Sequence, residues 1–283
     1  MVINGFAKGV DYHPGKAFKN QAHNHSWNAV LVDGSWALID AHWATRYLSS
    51  EKNQPENLVY EYDDFYFLME PQQAIYSHFP EDNKWQLLPR PITLDQFEDL
   101  PLAKSQFFKC FMDFLENNHG VVKTKSGKLQ MALAFWKPIS FTFKLVFADN
   151  FEEEFKGNDL KSYVLQETVG NKINFFLRLP KKSDYYLTIY AQHIPKKLTV
   201  ETTFRAACEY KIVADKAADD AHPYPRCSDT NWGPGYPVQN YSLVPKTKDG
   251  VISAPNGVAE VDFYKLDPKV RTWSSCIEYP DER

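Results

Sequence analysis

The chain has no cysteine before Cys110, and the other three, Cys208, Cys227 and Cys276, follow at wide, irregular spacings over 283 residues. A disulfide framework needs closer, more regular cysteines, so a small cross-linked secreted fold is excluded; Cys110 and Cys208, set in apolar runs, read as reduced core thiols. Long hydrophobic runs are missing too. No stretch approaches the roughly 18 apolar residues of a membrane span, and the N-terminus lacks the apolar segment of a signal peptide. The expected location is therefore cytoplasmic, which leaves the sequons Asn24-His-Ser26 and Asn240-Tyr-Ser242 with little weight. Basic charge is not in excess: 32 Lys and Arg stand against 36 Asp and Glu, for a net charge of −4. The doublets Lys181-Lys182 and Lys196-Lys197 fall where strand-flanking turns are expected, so the chain carries no nucleic-acid footprint.

What is abundant is apolar and aromatic surface, at 43% and 15% of residues. A disordered chain cannot hold that much apolar area in water, and the length is a prior for about two domains. The first region, 1–103, is expected to mix strands with short helices over Pro71 to Phe79 and Thr93 to Leu100, the second with Thr93 as N-cap. Beyond it the period becomes two: Leu129, Met131, Leu133 and Phe135 alternate, then Ile139 to Phe147, then Tyr185, Leu187, Ile189 and Ala191. Strands of this kind between Gly, Pro and Asn turns predict an antiparallel sandwich over 104–216, with one hydroxyl of Tyr185-Tyr186 bonded locally as in a tyrosine corner. Phe107 to Leu115 is apolar nearly throughout and fits strand or helix equally. A repeat then appears: Gly120-Val-Val with Gly127 and Phe135-Trp-Lys137 returns 130 residues later as Gly250-Val-Ile with Gly257 and, two residues short of that offset, Phe263-Tyr-Lys265. Residues 217–240, rich in Pro, Gly and Asp, read as linker or long loop, and 241–283 as an incomplete second sandwich with an exposed edge.

The chemistry is concentrated in His25-Ser-Trp-Asn-Ala-Val-Leu-Val-Asp-Gly-Ser-Trp-Ala-Leu-Ile-Asp40-Ala-His-Trp43. Asp33-Gly34 is a strong hairpin signal, because both central residues of a type I′ turn need positive φ. With His25 eight residues before Asp33 and Asp40 six after Gly34, a hairpin with a small offset brings imidazole and carboxylate together. A histidine held by a carboxylate has a fixed tautomer and orientation, as a general base beside a Cys or Ser nucleophile requires. The same spacing also suits a plain structural hydrogen bond. A zinc site drawn from His23, His25, Asp40 and His42 is a third reading of the segment, and we assign no metal. Trp27, Asn28 and Trp43 are expected as site wall, and Trp36 as a core or wall aromatic.

These residues resemble a known family. The pattern H-x-W-N-x-V-x-x-x-G-x-W-x-L-I-D-x-x-W is similar to the His and Asp portion of the transglutaminase-like, papain-type cysteine fold. Gly5-Phe-Ala-Lys-Gly-Val-Asp-Tyr-His-Pro-Gly15, Phe65-Tyr-Phe-Leu-Met-Glu-Pro71, His78-Phe-Pro80 and Trp85-Gln-Leu-Leu88 look like motifs of its kyphoscoliosis peptidase and hillarin branch. The resemblance implies an α+β architecture, a partial papain-like transglutaminase core of antiparallel sheet with helices, followed by all-β immunoglobulin-like sandwich domains. It further implies a thiolate that attacks a carbonyl while His25 shuttles the proton and Asp40 orients it. In that family the nucleophilic Cys opens a helix upstream of the strand resembling Val2 to Gly5. Here no cysteine precedes His25, and without a thiolate the pair has only water to activate. The expectation is an inactive protein-binding scaffold without cofactor, whose partners are, as the resemblance implies, cytoskeletal proteins. The alternative is a piece of an active Cys-His-Asp peptidase or transglutaminase whose nucleophile lies upstream of Met1.

Overall fold

The computed structural model describes residues 1–45, 47–48, 58–59, 61–115, 118–194, 204–224, 243–246, 257–258 and 260–265. The first region is built on strands β1 (Val2–Ala7), β2 (His25–Val32) and β3 (Ser35–Ile39), helix α1 (Ala41–Thr45), and a short ribbon of β4 (Tyr47–Leu48) with β5 (Leu58–Val59). Strand β6 (Phe67–Met69), helix α2 (Pro71–Ala74), β7 (His78–Pro80) and helix α3 (Leu94–Asp99) follow. The main sheet runs β6-β3-β2-β1-β7, with antiparallel pairing throughout. Asp33 and Gly34 form the turn between β2 and β3 with φ of 48° and 79°, the two positive values that a type I′ turn demands. Ile3, Trp27, Ala29, Leu38 and Met69 bury one face of this sheet.

Two local expectations meet different outcomes. Thr93 does cap α3, in a full capping box with Gln96. The helix expected over Pro71 to Phe79 stops at Ala74, because His78, Phe79 and Pro80 are drawn into β7 to pair with Ala7, Phe6 and Gly5. Pairing with β1 outweighs the weak local propensity of a short segment. The ambiguous run from Phe107 divides in the same way into the end of a helix and a strand, parted at Cys110 and Phe111, where Phe111 takes φ of 52°.

The first region ends with β8 (Leu102–Ala103), and the second opens with helix α4 (Ser105–Lys109) and β9 (Met112–Phe114), followed by β10 (Val121–Thr124), β11 (Lys128–Phe135) and β12 (Ile139–Phe147). Then come the ribbon β13 (Glu154–Phe155) with β14 (Asn158–Asp159), and β15 (Val164–Val169), β16 (Lys172–Arg178), β17 (Ser183–His193) and β18 (Arg205–Ala214). One sheet runs β9-β11-β16-β15 and the other β12-β17-β18, with β10 joined in parallel to the outer edge of β18. These orders are those of the A-B-E-D and C-F-G sheets of an immunoglobulin-like sandwich. Phe143, Leu145, Phe175, Tyr185, Leu187, Ile189 and Tyr210 fill the space between them. The Tyr185 hydroxyl donates to the Lys181 carbonyl at 2.6 Å, as expected of a tyrosine corner. Cys110 and Cys208 are buried and unpaired.

The two regions are packed together. Leu102 and Ala103 pair with Glu209 and Cys208 of β18, Phe65 stacks on Phe108 at 5.3 Å, and Lys109 bridges Asp63 and Asp64 at 2.7 and 2.8 Å. Farther along, β19 (Leu243–Pro245) pairs with β20 (Phe263–Lys265), Pro245 opposite Phe263 and Leu243 opposite Lys265. Of the segment expected to form an incomplete second sandwich, 241–242, 247–256, 259 and 266–283 lie outside the described residues.

Gly5 marks a close approach in the first sheet, paired with His25 on one side and Pro80 on the other. A Cβ there would collide with the Phe79 carbonyl oxygen and the Trp27 indole. Gly5→Ala should therefore cost about 1–3 kcal/mol as an overpacking change, read as a lower urea midpoint at unchanged slope. An unchanged midpoint would show that β7 is free to move aside.

Candidate active site

In the β2–β3 register Asn28 faces Ile39, so continuing the ladder would set Asp40 opposite Trp27, with His25 two residues along on the same face. That diagonal is within reach of long side chains. His25 Nε2 lies 2.5 Å from Asp40 Oδ2. Asp40 sits where β3 gives way to α1: its backbone N–H donates to the Tyr66 carbonyl at 2.9 Å, and its Oδ1 accepts the Trp43 N–H at 2.9 Å, an N-cap interaction. Just before β2, the Asn24 side chain accepts from Ala7 N–H and donates to the Ala7 carbonyl, which fixes the entry of the strand that carries His25.

Asp40 has a second imidazole partner. His78 Nε2 lies 2.9 Å from the same Oδ2, and on its other side His78 Nδ1 lies 2.8 Å from Ser77 Oγ. Side chains of Asp40 and His78 are each 1% exposed, and His25 is 15% exposed. The sequence reading missed His78 as a site residue, although it stands inside the quoted His78-Phe-Pro80 motif. Parity along a three-residue strand could not have shown that it points at Asp40.

Electrostatics follow from this arrangement. Burial pushes the Asp40 carboxyl up, but the hydrogen bonds from His25, His78 and the Trp43 N–H together outweigh it and hold Asp40 well below the usual carboxylate range. Burial keeps His78 below the ordinary histidine value against the opposing pull of Asp40. An ionised Asp40 can only accept, so His25 Nε2 and His78 Nε2 both carry protons and donate. Neutral His78 then accepts the Ser77 hydroxyl proton at Nδ1, and whenever His25 carries a single ring proton its lone pair lies on Nδ1. That atom is free to take a proton from a neighbouring group.

The wall is aromatic. Trp43 stacks on His25 at 5.3 Å and lies tilted against His78 at 4.6 Å, and Trp27 meets His78 edge-on at 5.1 Å. Asn28 does not join them: strand alternation turns it to the opposite face, where its amide reaches toward the Met1 carbonyl at 3.5 Å. Trp36 is 45% exposed near the hairpin turn and packs edge-on against Trp85. Neither His23 nor His42 converges on Asp40, since His23 faces Glu81 and His42 lies exposed on α1.

Among the described residues, His25, Asp40 and His78 are a set whose donor atoms cluster within 4.8 Å. Zinc bonds of about 2.0–2.2 Å in a tetrahedron hold ligand atoms more than ~3 Å apart. Separations of 2.5 and 2.9 Å are hydrogen bonds instead. Ser77, His78 and Asp40 also line up in the order of a serine triad, but Ser77 is 5% exposed and closed to a substrate. Neither described cysteine supplies a thiolate: burial pushes Cys110 up to about 11, against a weaker opposing hydrogen bond from Gln106, and raises Cys208 further.

The chain is similar to known proteins over much of its length. The family described as "KY-like, immunoglobulin-like domain" matches residues 94–225. "Lim and transglutaminase domain protein ltd-1" of Caenorhabditis elegans is 32% identical over 282 residues, 95% of this chain and 39% of that protein. "Hillarin" of Drosophila melanogaster is 34% identical over 87% of the chain and 32% of its own length. "Kyphoscoliosis peptidase" of Homo sapiens is 30% identical over 67% of the chain and 28% of its own length. The chain belongs to the kyphoscoliosis peptidase and hillarin branch of the transglutaminase-like family. It spans well under half the length of these relatives. Among the described residues no helix is long and apolar enough to cross a membrane.

The signs of the two shifts give a stability profile. His78, lowered in the fold, binds fewer protons there than in the unfolded chain, so stability falls as pH drops through about 6.5. Asp40, also lowered, adds a contribution present above about 3.9 and lost below it. Urea unfolding from pH 8 down to pH 2 should show both losses, and Asp40→Asn should flatten the acid limb. Parallel curves for the two proteins would contradict the assignment of Asp40 as the buried anion.

Proposed function

We propose that His25 and Asp40 are the proton-handling half of a cysteine-type acyl-transfer centre, carried on residues 1–103 as part of a papain-like transglutaminase core. The observation that supports this reading most is the Asp40–His25 bond through Nε2, which leaves Nδ1 open at a partly exposed, aromatic-walled position. No thiol among the described residues faces that atom. By itself the chain is then a non-catalytic, protein-binding scaffold, with an immunoglobulin-like sandwich over 104–216. A linker over 217–240 and the opening of a second sandwich in 241–283 follow. The β19–β20 pairing supports the second copy, because it repeats the pairing of Met112 and Phe114 with Phe135 and Leu133 close to 130 residues on. Cytoplasmic, cytoskeleton-associated partners fit the family.

A second reading is favoured by the intact pair and by the chain's fractional coverage of its relatives: a piece of an active peptidase or transglutaminase. The test uses a casein or glutamine-donor substrate with and without iodoacetamide, first on this chain and then on the chain joined to any coding sequence upstream in its transcript. This chain should show no thiol-dependent turnover. Turnover abolished by both iodoacetamide and His25→Ala would mean that a downstream cysteine has been recruited, against the scaffold reading. In a joined protein carrying an upstream Cys, activity should depend on His25, and Asp40→Asn should lower kcat by up to about 10⁴-fold.

A further inference from the structure

Each oxygen of the Asp40 carboxylate is held by a donor: Oδ1 accepts from Trp43 N–H, and Oδ2 from both imidazoles. We infer that His78, itself held by Ser77, is a positioning residue that fixes the Asp40 carboxylate so that His25 presents Nδ1 and not Nε2 outward. The inference rests on the reading of His25 as a base, and goes beyond it by assigning the control of that base to residues outside the His–Asp pair.

The polarity of the cluster runs one way. Ser77 Oγ–H donates to His78 Nδ1 at 2.8 Å, and its other contact, the Ala74 carbonyl at 3.4 Å, is too long to compete for the single proton. That forces the His78 proton onto Nε2, where it meets Asp40. Two N–H donors on one carboxylate oxygen resist rotation about the carboxyl bond. Such rotation would otherwise trade the Trp43 and His25 bonds for each other. No water can substitute, since His78 and Asp40 are both closed to solvent. Removing the His78 donor leaves a buried acceptor underused, and a carboxylate so released can turn away from His25. His25 is then free to place its proton on either nitrogen. Trp43 against His25 and Trp27 against His78 hold the two rings in place but donate nothing to Oδ2, so they cannot replace His78 in this role.

The experiment is a long-range proton–nitrogen NMR spectrum of the imidazoles in the full chain at neutral pH, His25 being assigned by loss of its signals in His25→Ala. In the unmodified chain His25 should be the Nε2–H tautomer. His78→Phe keeps an aromatic ring but removes the donor, and should raise the minor tautomer of His25 several-fold. His78→Gln, whose amide nitrogen can reach Asp40, should restore the original state. Unchanged His25 signals in a folded His78→Phe protein overturn the inference. If that variant does not fold, Ser77→Ala decides: a several-fold rise in the minor His25 tautomer supports the positioning role, and no change overturns it. The two readings fail separately. A locked tautomer without any His25-dependent turnover in a protein carrying an upstream Cys sinks the acyl-transfer reading alone, and an unlocked tautomer with full turnover sinks only the role of His78.

Discussion

A carboxylate excluded from water must have its charge answered by donors, and Asp40 meets that requirement with Trp43 N–H, His25 and His78. The requirement ties together parts of the chain that are otherwise remote. His25 comes from the start of β2, Trp43 from the first turn of α1, and His78 from β7 on the far side of β1. Removing any one of them leaves a buried anion short of a donor, a more severe fault than the loss of one ordinary surface contact. The close approach at Gly5 belongs to the same arrangement, because β7 must lie tight against β1 for His78 to reach across.

The sandwich bears on the site as well. The short turn Asp64–Tyr66 leads into β6 and supplies the carbonyl that receives the Asp40 backbone N–H. That turn is fastened to the sandwich by three contacts of different chemistry: Ser105 Oγ on Asp63 at 2.6 Å, Lys109 on Asp63 and Asp64, and Phe108 stacked on Phe65. Tyr76, between α2 and β7, packs on Phe108 and Phe114. On the other side of the first region His13 bonds Glu209 at 2.7 Å and stacks on Tyr186. Helix α4, packed on the sandwich, therefore braces the loop that shapes the site.

Much of this was legible in the sequence where local chemistry decides. Asp33-Gly34 specified its turn through the φ values it tolerates, Thr93 its helix cap, and the period-two runs their strands β11, β12 and β17. The His25–Asp40 pair followed from the turn plus a residue count. What was not legible depends on contacts between distant segments. His78 lies 38 residues from Asp40, and only the pairing of β7 with β1 brings it there. The same pairing cut short the helix expected after Pro71. Asn28 was assigned to the wall because it stands in a dense motif, but alternation along β2 sends it to the other face. The placing of Leu102 and Ala103 on β18 is equally a product of tertiary pairing.

The central claim is a distribution of protons: none on Asp40, one on His25 Nε2, one on His78 Nε2, and a bare His25 Nδ1. A neutron crystal structure of the deuterium-exchanged chain at neutral pH reads those positions directly. The account predicts nuclear density for deuterium on both Nε2 atoms and on Ser77 Oγ directed at His78, with none on the Asp40 oxygens or on the neutral His25 Nδ1. A deuteron on Asp40, or His25 carrying its only deuteron on Nδ1, would contradict it.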